Sequence, residues 1–396
     1  KCGKNSRFAP FWSVGTGWNI HNEKFLKGSP FQLLKLRASL GYLGNISFEP
    51  YQALTMYTSL AGLNYIKGIG AVPMGIGNKN LKWERTLSAN LGLDLTMFKG
   101  RWDFSADVYV KNTDNLLLDI TKAPSLGITT SRENVGEVEN HGFEFQTRVI
   151  PIKNKDWEWS LSLNYAYNKN KIKKISNALR EQNEKNQAKG GVTPLPIYEE
   201  GQSLTALKVV SSAGIDPITG NEVFIKRDGS LTFVYDPNDK VVYGDTTPFG
   251  MGSLGSYLTY KQFSMGMSMR YSFGGAVYNQ TLASKVEGAD PRYNADERVF
   301  SSRWKEVGQQ AKYKRISDSS VPMQTSRFVE TNNYITLSSL SLAYEVPLTF
   351  IKRYGLKRLH LEMLANDLFY LSSVKRERGL SYPYERSVEF SVRLGF

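Results

Sequence analysis

The sequence predicts an all-β protein, an antiparallel transmembrane β-barrel to which this chain contributes about 11 strands. Segment after segment alternates apolar and polar residues, which gives a β-strand one apolar and one polar face. Short and long connections alternate between these segments, as in barrels whose short turns lie on the periplasmic side and long loops outside. No apolar run approaches the roughly 18 residues of a transmembrane helix, whereas a barrel strand needs only about 9–11 residues.

The last stretch of the chain, residues 386–396, shows the alternation most regularly. Its apolar parity comprises Val388, Phe390, Val392, Leu394 and Phe396, and its polar parity comprises Ser387, Glu389, Ser391, Arg393 and Gly395. A soluble edge strand of this kind promotes aggregation. The same strand is stable in a closed barrel, where its apolar face meets lipid and both of its edges are paired.

The other predicted strands repeat this design along the chain. They lie near 7–20, 34–42, 84–98, 102–110, 143–149, 157–167, 254–260, 263–273, 332–346 and 359–365. Gly100 supplies an unusual φ to the tight turn that follows the third of them. The strand at 332–346 changes phase halfway, and we interpret Ser338 and Ser339 as a β-bulge.

The connections sort into two classes by length. Short ones lie at about 21–30, 99–100, 151–156, 261–262 and 347–355. The predicted long extracellular loops are about 46–83, 113–134, 170–249 (with a short helix near 174–188), 274–330 and 371–385. The number of predicted strands is odd, and the first strand starts on the long-loop side. Single-chain bacterial barrels normally have an even number of strands. We therefore expect missing strands upstream, and either an open half-barrel here or a partner chain that completes it.

The polar parity and the strand ends fit a barrel with a wet lumen. Charged residues of the polar parity include Asp94, Asp103, Asp107, Glu144, Glu158, Arg270, Glu362, Glu389 and Arg393. Aromatic residues near strand ends are Trp83, Phe98, Trp102, Trp157, Tyr165, Tyr167, Tyr271 and Phe396. Such aromatics fit the girdles at the two membrane interfaces, although ordinary sheet residues would give the same pattern.

The chain carries 50 basic and 37 acidic residues, a formal net charge of +13. Much of the excess lies in residues 169–189, which we interpret as part of a set of solvated loops. No zinc-finger spacing or RNP-like run accompanies it, so no nucleic-acid partner is predicted. Cys2 stands alone, which excludes a disulfide within the chain. The start is neither Met nor a signal peptide, so we expect a removed leader or a longer protein.

No catalytic constellation, metal site or cofactor is predicted. His21, His141 and His360 are scattered and share no spacing with nucleophiles or metal ligands. The segments 216–217 and 236–239 begin with Asp-Pro, but the EF-hand spacing with its closing Glu is missing. We interpret both as turn chemistry rather than as calcium ligands.

Several stretches together resemble the SusC/RagA-like TonB-dependent outer-membrane transporters of Bacteroidetes. They are Phe11 to Phe25, Asn80 to Glu84, Asn134 to Glu144, Gly214 to Gly220, Trp304 to Tyr313, Thr325 to Tyr344, and Arg378 to Arg386 before the terminal Phe396. The resemblance covers essentially all 396 residues. It implies the C-terminal portion of a barrel of about 22 strands, located in the cell outer membrane.

The resemblance also implies partners. In this family a SusD-like surface lipoprotein caps the long loops, and the TonB complex supplies energy to an N-terminal plug that would lie in the missing N-terminal half. The imported nutrient is a glycan or a peptide, and the wall contacts outer-membrane lipid. Phe396 resembles the terminal signal read by the outer-membrane assembly machinery.

Loop aromatics are the candidate substrate-binding residues. Tyr278, Tyr293, Trp304 and Tyr313 lie in the 274–330 loop. Aromatic faces suit stacking on a sugar or a peptide, with neighbouring polar groups fixing its orientation. Packing within the loop, or contact with the capping lipoprotein, is the alternative.

Two other functions stay open at this point: a secreted all-β glycan-binding module, and a non-functional transporter fragment. The binding module would bury the apolar parity in a core, whereas a barrel would turn it outward. The discriminating residues are Leu87, Leu91, Leu93, Trp159, Leu161 and Val392.

Overall fold

The computed structural model describes residues 9–45, 54–60, 70–290, 292–293, 295–377 and 385–396. Cys2, part of the loop 46–83 and most of the stretch 378–386 lie outside the described residues. None of the helices in the described ranges is both long and apolar enough to cross a membrane.

The described ranges contain seventeen β-strands. In chain order they are β1 (Trp12–Asn19), β2 (Phe31–Asn45), β3 (Met56–Leu60), β4 (Gly70–Gly75), β5 (Glu84–Met97), β6 (Trp102–Thr121), β7 (Thr130–Lys153), β8 (Trp157–Ile175), β9 (Ala206–Ile215), β10 (Glu222–Ile225), β11 (Leu231–Thr232), β12 (Lys240–Asp245), β13 (Gly250–Tyr260), β14 (Phe263–Tyr278), β15 (Val329–Glu345), β16 (Arg358–Ser372) and β17 (Ser387–Gly395). Three short α-helices join them: α1 (Asn177–Ala188), α2 (Arg298–Ser301) and α3 (Leu348–Ile351).

Eleven of these strands form one antiparallel sheet, with the order β1-β2-β5-β6-β7-β8-β13-β14-β15-β16-β17. We call this sheet the wall. Each of its strands pairs with the next wall strand along the chain, which is the up-and-down order of a barrel. Within the described residues β1 and β17 each have one neighbour, so the sheet is open. The predicted all-β barrel fold and its 11 strands are confirmed.

The two ends of this sheet differ as the sequence predicts. One end carries compact turns, including the β5–β6 turn in which Phe98, Lys99 and Gly100 all take positive φ. The other end carries the long connections, where β9 to β12 form a separate four-stranded sheet and β3 pairs with β4. The predicted bulge is also present, because β15 skips Ser338 in its register with both neighbours.

One predicted loop is wrong. Residues 113–134 are mostly strand, because β6 and β7 stay paired as far as Thr121 and Thr130. Two register shifts next to Leu116 interrupt this pairing, and Asn115 takes a positive φ of 58°. The bulge shifts the apolar phase, which hides the continuation of the strand from a period-2 pattern.

The apolar parity faces outward. Of the six discriminating residues, Leu91, Leu161 and Val392 are exposed, and the other three are only half-buried. The outer face of the last strand is the most open, with Phe390 exposed by 78%. A soluble module would leave this large apolar face in water, at a high cost. The alternative of a secreted glycan-binding module is therefore rejected on the fold.

Aromatic pairs border the outer face at both ends. At the turn end Trp157 lies against Tyr260, with ring centroids 4.2 Å apart. At the loop end Tyr167 lies 5.6 Å from Phe143. Ten residues separate Trp157 from Tyr167, about 33 Å along the strand, or about 25 Å at a tilt near 40°. This matches the apolar band between the two aromatic girdles of a membrane barrel.

Candidate functional site

The two longest loops fold together at the loop end of the sheet into one body, which we call the loop cap (residues 176–249 and 279–328). The amide of Val210 on β9 donates to the carbonyl of Gln324 at 3.0 Å. The side chain of Gln324 donates in turn to the carbonyl of Gly190 at 3.1 Å. Because these contacts join residues more than 100 positions apart, the loops form a single structure rather than two independent excursions.

A buried ion cluster holds the loop cap together. Arg327 forms two 2.7 Å hydrogen bonds to the carboxylate of Glu222 on β10. It forms two more, at 2.7 and 2.8 Å, to Glu287. The three side chains expose 11%, 3% and 0% of their surface. We call this cluster the Arg327 clasp.

The two carboxylates of the clasp raise the pKa of Arg327. Burial alone would lower the pKa of Arg327, but the hydrogen bonds to the two carboxylates outweigh it and keep the pKa above the ordinary arginine value. Two carboxylates around one guanidinium leave one negative charge, which the surrounding donors must offset. The amide of Lys314 supplies one of them to Glu287, at 3.4 Å. Removal of the guanidinium would leave two buried carboxylates without their cation.

An apolar cluster lies beside the clasp. Its buried members are Ala283, Val286, Tyr313 and Phe328, with Tyr278 packed against them. The rings of Tyr278 and Phe328 meet edge to face at 5.9 Å. The cluster gives the loop cap a small core of its own, so its shape does not depend on the sheet alone.

A buried lysine closes the C-terminal end of α1. The ammonium of Lys240, whose residue is 1% exposed, donates to the carbonyls of Asn186 (3.3 Å), Gln187 (3.1 Å) and Lys189 (2.8 Å). Burial lowers the pKa of Lys240. A cation at this position satisfies carbonyls that a helix end leaves unpaired and interacts favourably with the helix dipole.

The two Asp-Pro segments are turns, as predicted. The carboxylate of Asp216 accepts from the amide and the hydroxyl of Thr219, at 3.0 and 2.6 Å. Asp236 caps a single 3₁₀ turn by accepting from the amide of Asn238 at 2.8 Å. Across the described residues no group of three or more His, Cys, Asp or Glu side chains is placed to hold a metal ion.

The four candidate aromatics do not converge on one surface. Tyr278 and Tyr313 lie in the apolar cluster of the loop cap. The indole of Trp304 donates to the carbonyl of Pro217 at 2.9 Å and covers Gly220, where a Cβ would meet the ring at 2.6 Å. Tyr293 is 74% exposed. Three of the four therefore have packing contacts, and Tyr293 has a free face; direct substrate contact stays a prediction.

The loop cap contains two neighbouring cavities, of about 540 and 210 Å³, which share Asp318, Ser320 and Val321. Lys314 lines the smaller one and pairs with Asp318 at 2.9 Å. Phe233, 57% exposed, adds an aromatic face. A pocket with an aromatic face and paired charges has the groups that orient a polar ligand.

The inner face of the sheet is polar and internally paired. The guanidinium of Arg37 reaches Asp94 at 2.7 Å and Asp107 at 3.0 Å. Ser105 donates to Asp94 at 2.9 Å. A groove of about 660 Å³ continues along this face, and its polar lining includes Asp107, Glu144, Gln146, Asn164, Ser253 and Arg270. These side chains can hydrogen-bond to a solute or to a protein segment that fills the lumen.

The clasp residues were absent from the sequence-based candidates. Glu222, Glu287 and Arg327 carry no motif of their own, and each lies in a different part of the loops. The one available signal was indirect, since Arg327 falls within the family-like stretch from Thr325 to Tyr344.

Comparison with known proteins identifies the family. The family model "TonB dependent receptor-like, beta-barrel" matches residues 2–362. TonB-dependent receptor P3 of Formosa agariphila is 31% identical over 388 residues, covering 92% of this chain and 38% of the receptor. TonB-dependent receptor SusC of Bacteroides thetaiotaomicron is 30% identical over 304 residues, covering 72% and 29%. The chain thus spans less than two fifths of the length of these relatives.

The fold comparison agrees. The solved structure of the RagAB peptide transporter superposes with a TM-score of 0.81 at 23% identity, covering 94% of this chain and 41% of that one. At this identity the match establishes the fold. Together with the outward apolar face and the paired girdles, these matches show that the chain belongs to the TonB-dependent receptor family, as part of its outer-membrane β-barrel.

Proposed function

We propose that the chain is the C-terminal portion of a TonB-dependent importer, and that it acts in nutrient uptake rather than as an enzyme. The observation that carries the proposal is the loop cap, a folded body with its own core and cavities at the loop end of a family-typical wall. Such a body, above a polar inner face, suits capture of a solute outside and its passage inward. A plug that precedes these strands would close the lumen.

The proposal extends to two partners. A SusD-like lipoprotein would cover the loop cap, and the TonB complex would act through the plug. The relatives support this: one is the receptor SusC, and the RagAB structure is a peptide transporter. The substrate is a glycan or a peptide, and both classes fit an aromatic face beside paired charges.

The experiment is uptake by cells that carry the full receptor, with labelled oligosaccharides and labelled oligopeptides offered in parallel. We expect saturable uptake of one class, which stops when the receptor gene is deleted or when TonB is inactivated. Uptake unchanged by either deletion would refute import through this receptor. The class that enters defines the substrate.

Tyr293→Ala tests the exposed aromatic. If Tyr293 stacks on substrate, uptake should fall about threefold to tenfold, with no change in the unfolding temperature. The matched control is Tyr354→Ala, since Tyr354 is 66% exposed at the opposite end of the sheet. Equal uptake in both variants would remove Tyr293 from the substrate path.

Trp304→Phe removes the hydrogen bond to Pro217 but keeps an aromatic ring, and should lower the stability of the loop cap before it affects uptake.

A further inference from the structure

The outer face of the wall carries an apolar groove that neither the import mechanism nor the loop cap explains. It has a volume of about 500 Å³ and lies across β13 to β17. Its floor includes Phe263, Met265, Leu342, Tyr344, Leu361 and Met363. The volume falls within the roughly 300–1,000 Å³ of small-molecule pockets.

Two cross-strand rows build the groove. Met265, Leu342 and Met363 lie side by side in register on β14, β15 and β16. Phe263, Tyr344 and Leu361 form the next row towards the turn end. Adjacent rows on one face are two residues apart, about 6.6 Å. The groove is thus two rows wide along the strands and extends across all five of them, with the row of Phe263 next to the aromatic girdle.

A lysine side chain, that of Lys261, lies at the girdle end of the groove. The ammonium of Lys261, in the β13–β14 turn, lies 5.3 Å from the ring centroid of Tyr260, which lines the groove. The β15–β16 link lies beside this turn, because the amide of Glu345 donates to the carbonyl of Gln262 at 2.9 Å. That link also carries Arg353, at the same end of the sheet, whose guanidinium lies 4.7 Å from the ring of Tyr354.

Neither cation has an ion-pair partner among the described residues. Among the described residues, no carboxylate oxygen lies within 4 Å of a side-chain nitrogen of Lys261 or Arg353. The nearby carboxylate of Glu345 is already engaged, by Arg358 at 2.7 Å and by His360 at 2.8 Å. The girdle end of the groove therefore presents positive charge to an anion at the membrane interface.

We propose that this groove is a binding site for one phospholipid of the periplasmic leaflet. An acyl chain lies along the rows of Met265 and Phe263, and the phosphate is bound at Lys261. Lysine binds phosphate as a point charge, and aromatic girdles place their rings at the height of lipid headgroups. A second protein chain needs a contact of about 1,000 Å² or more and would gain nothing from the isolated cations at one end.

The test is native mass spectrometry of the full receptor, extracted from outer membranes, delipidated and titrated with dioleoyl phosphatidylglycerol. Met265→Trp combined with Met363→Trp fills the groove. We expect the Kd of the first bound lipid to rise about tenfold, because the lost apolar contact corresponds to roughly two methylene groups. The matched control is Val108→Trp, since Val108 is 58% exposed on the same face and away from the groove. This control should bind as the unchanged protein does.

Lys261→Gln tests the headgroup contact without altering the groove, and keeps the test decisive if the double variant fails to fold. We expect about threefold to tenfold weaker binding of phosphatidylglycerol. Lys99→Gln is its control, because Lys99 lies in another turn at the same end of the sheet.

Three outcomes would overturn the site. The first is lipid binding that both groove variants leave unchanged. The second is an equal loss in Val108→Trp, which would indicate annular lipid only. The third is a loss of dimer mass with unchanged lipid, which would assign the groove to a second copy of the chain.

Discussion

Replacing Arg327 by methionine is expected to unfold the loop cap while the wall stays assembled. The substitution leaves the carboxylates of Glu222 and Glu287 buried at 3% and 0% exposure without their shared cation. Breaking a buried ion pair from one side costs about 3–5 kcal/mol. That is a large fraction of the 5–15 kcal/mol that stabilises a typical domain, and the loop cap has only a small core of its own.

The measurement is limited proteolysis of the receptor in outer membranes, where we expect the loop cap to lie outside and to be accessible. We expect cleavage within residues 176–249 and 279–328 at least ten times faster than in the unchanged protein, which corresponds to about 1.4 kcal/mol or more. Arg292→Met is the matched control, since Arg292 pairs with Asp290 but its side chain is 82% exposed. An exposed pair contributes about 0–1 kcal/mol. Equal cleavage rates in the two variants would show that the clasp does not hold the loops.

Leu91→Arg is expected to block assembly of the wall. Leu91 lies midway along β5, 52% exposed, with Ala38 and Val108 as its cross-strand neighbours on the outer face. An arginine at the middle of the lipid face costs about 2–4 kcal/mol. We expect little folded receptor in the outer membrane, and a lower unfolding midpoint in urea for the fraction that assembles.

Asn90→Arg is the control for this prediction. Asn90 is the preceding residue of the same strand, and its neighbours Ser39 and Tyr109 belong to the polar face. An arginine there can reach lumenal water, so near-normal levels are expected. Similar losses in both variants would mean that β5 does not separate lipid from a wet lumen.

The wall could be predicted from sequence because its signals are local. Alternation of apolar and polar residues marks each strand, and the phase change at Ser338 marks the bulge. The same dependence on phase explains the one wrong loop. At Asn115 the backbone takes a positive φ and the pairing of β6 with β7 shifts, so alternation breaks although the strand continues.

The loop cap could not be predicted in the same way. Arg327 and Glu222 are 105 positions apart, and nothing in the residues around either one indicates the partner. Long-range ion pairs and small buried clusters carry no period. The candidate aromatics show the consequence: loop composition made Tyr278 and Tyr313 candidate ligand contacts, but it could not indicate that Tyr313 lies in a buried cluster with Tyr278 packed against it.

Cysteine accessibility in intact outer membranes tests the barrel-wall interpretation most directly. Single cysteines replace Leu91, Leu161 and Val392 on the apolar parity, and Asn90, Ser162 and Arg393 on the polar parity, in a background without Cys2. A water-soluble, membrane-impermeant maleimide then reports which face is wet. A barrel wall predicts labelling of the polar set and protection of the apolar set. Labelling of Leu91 and Val392 positions as fast as that of Asn90 would contradict a lipid-facing wall.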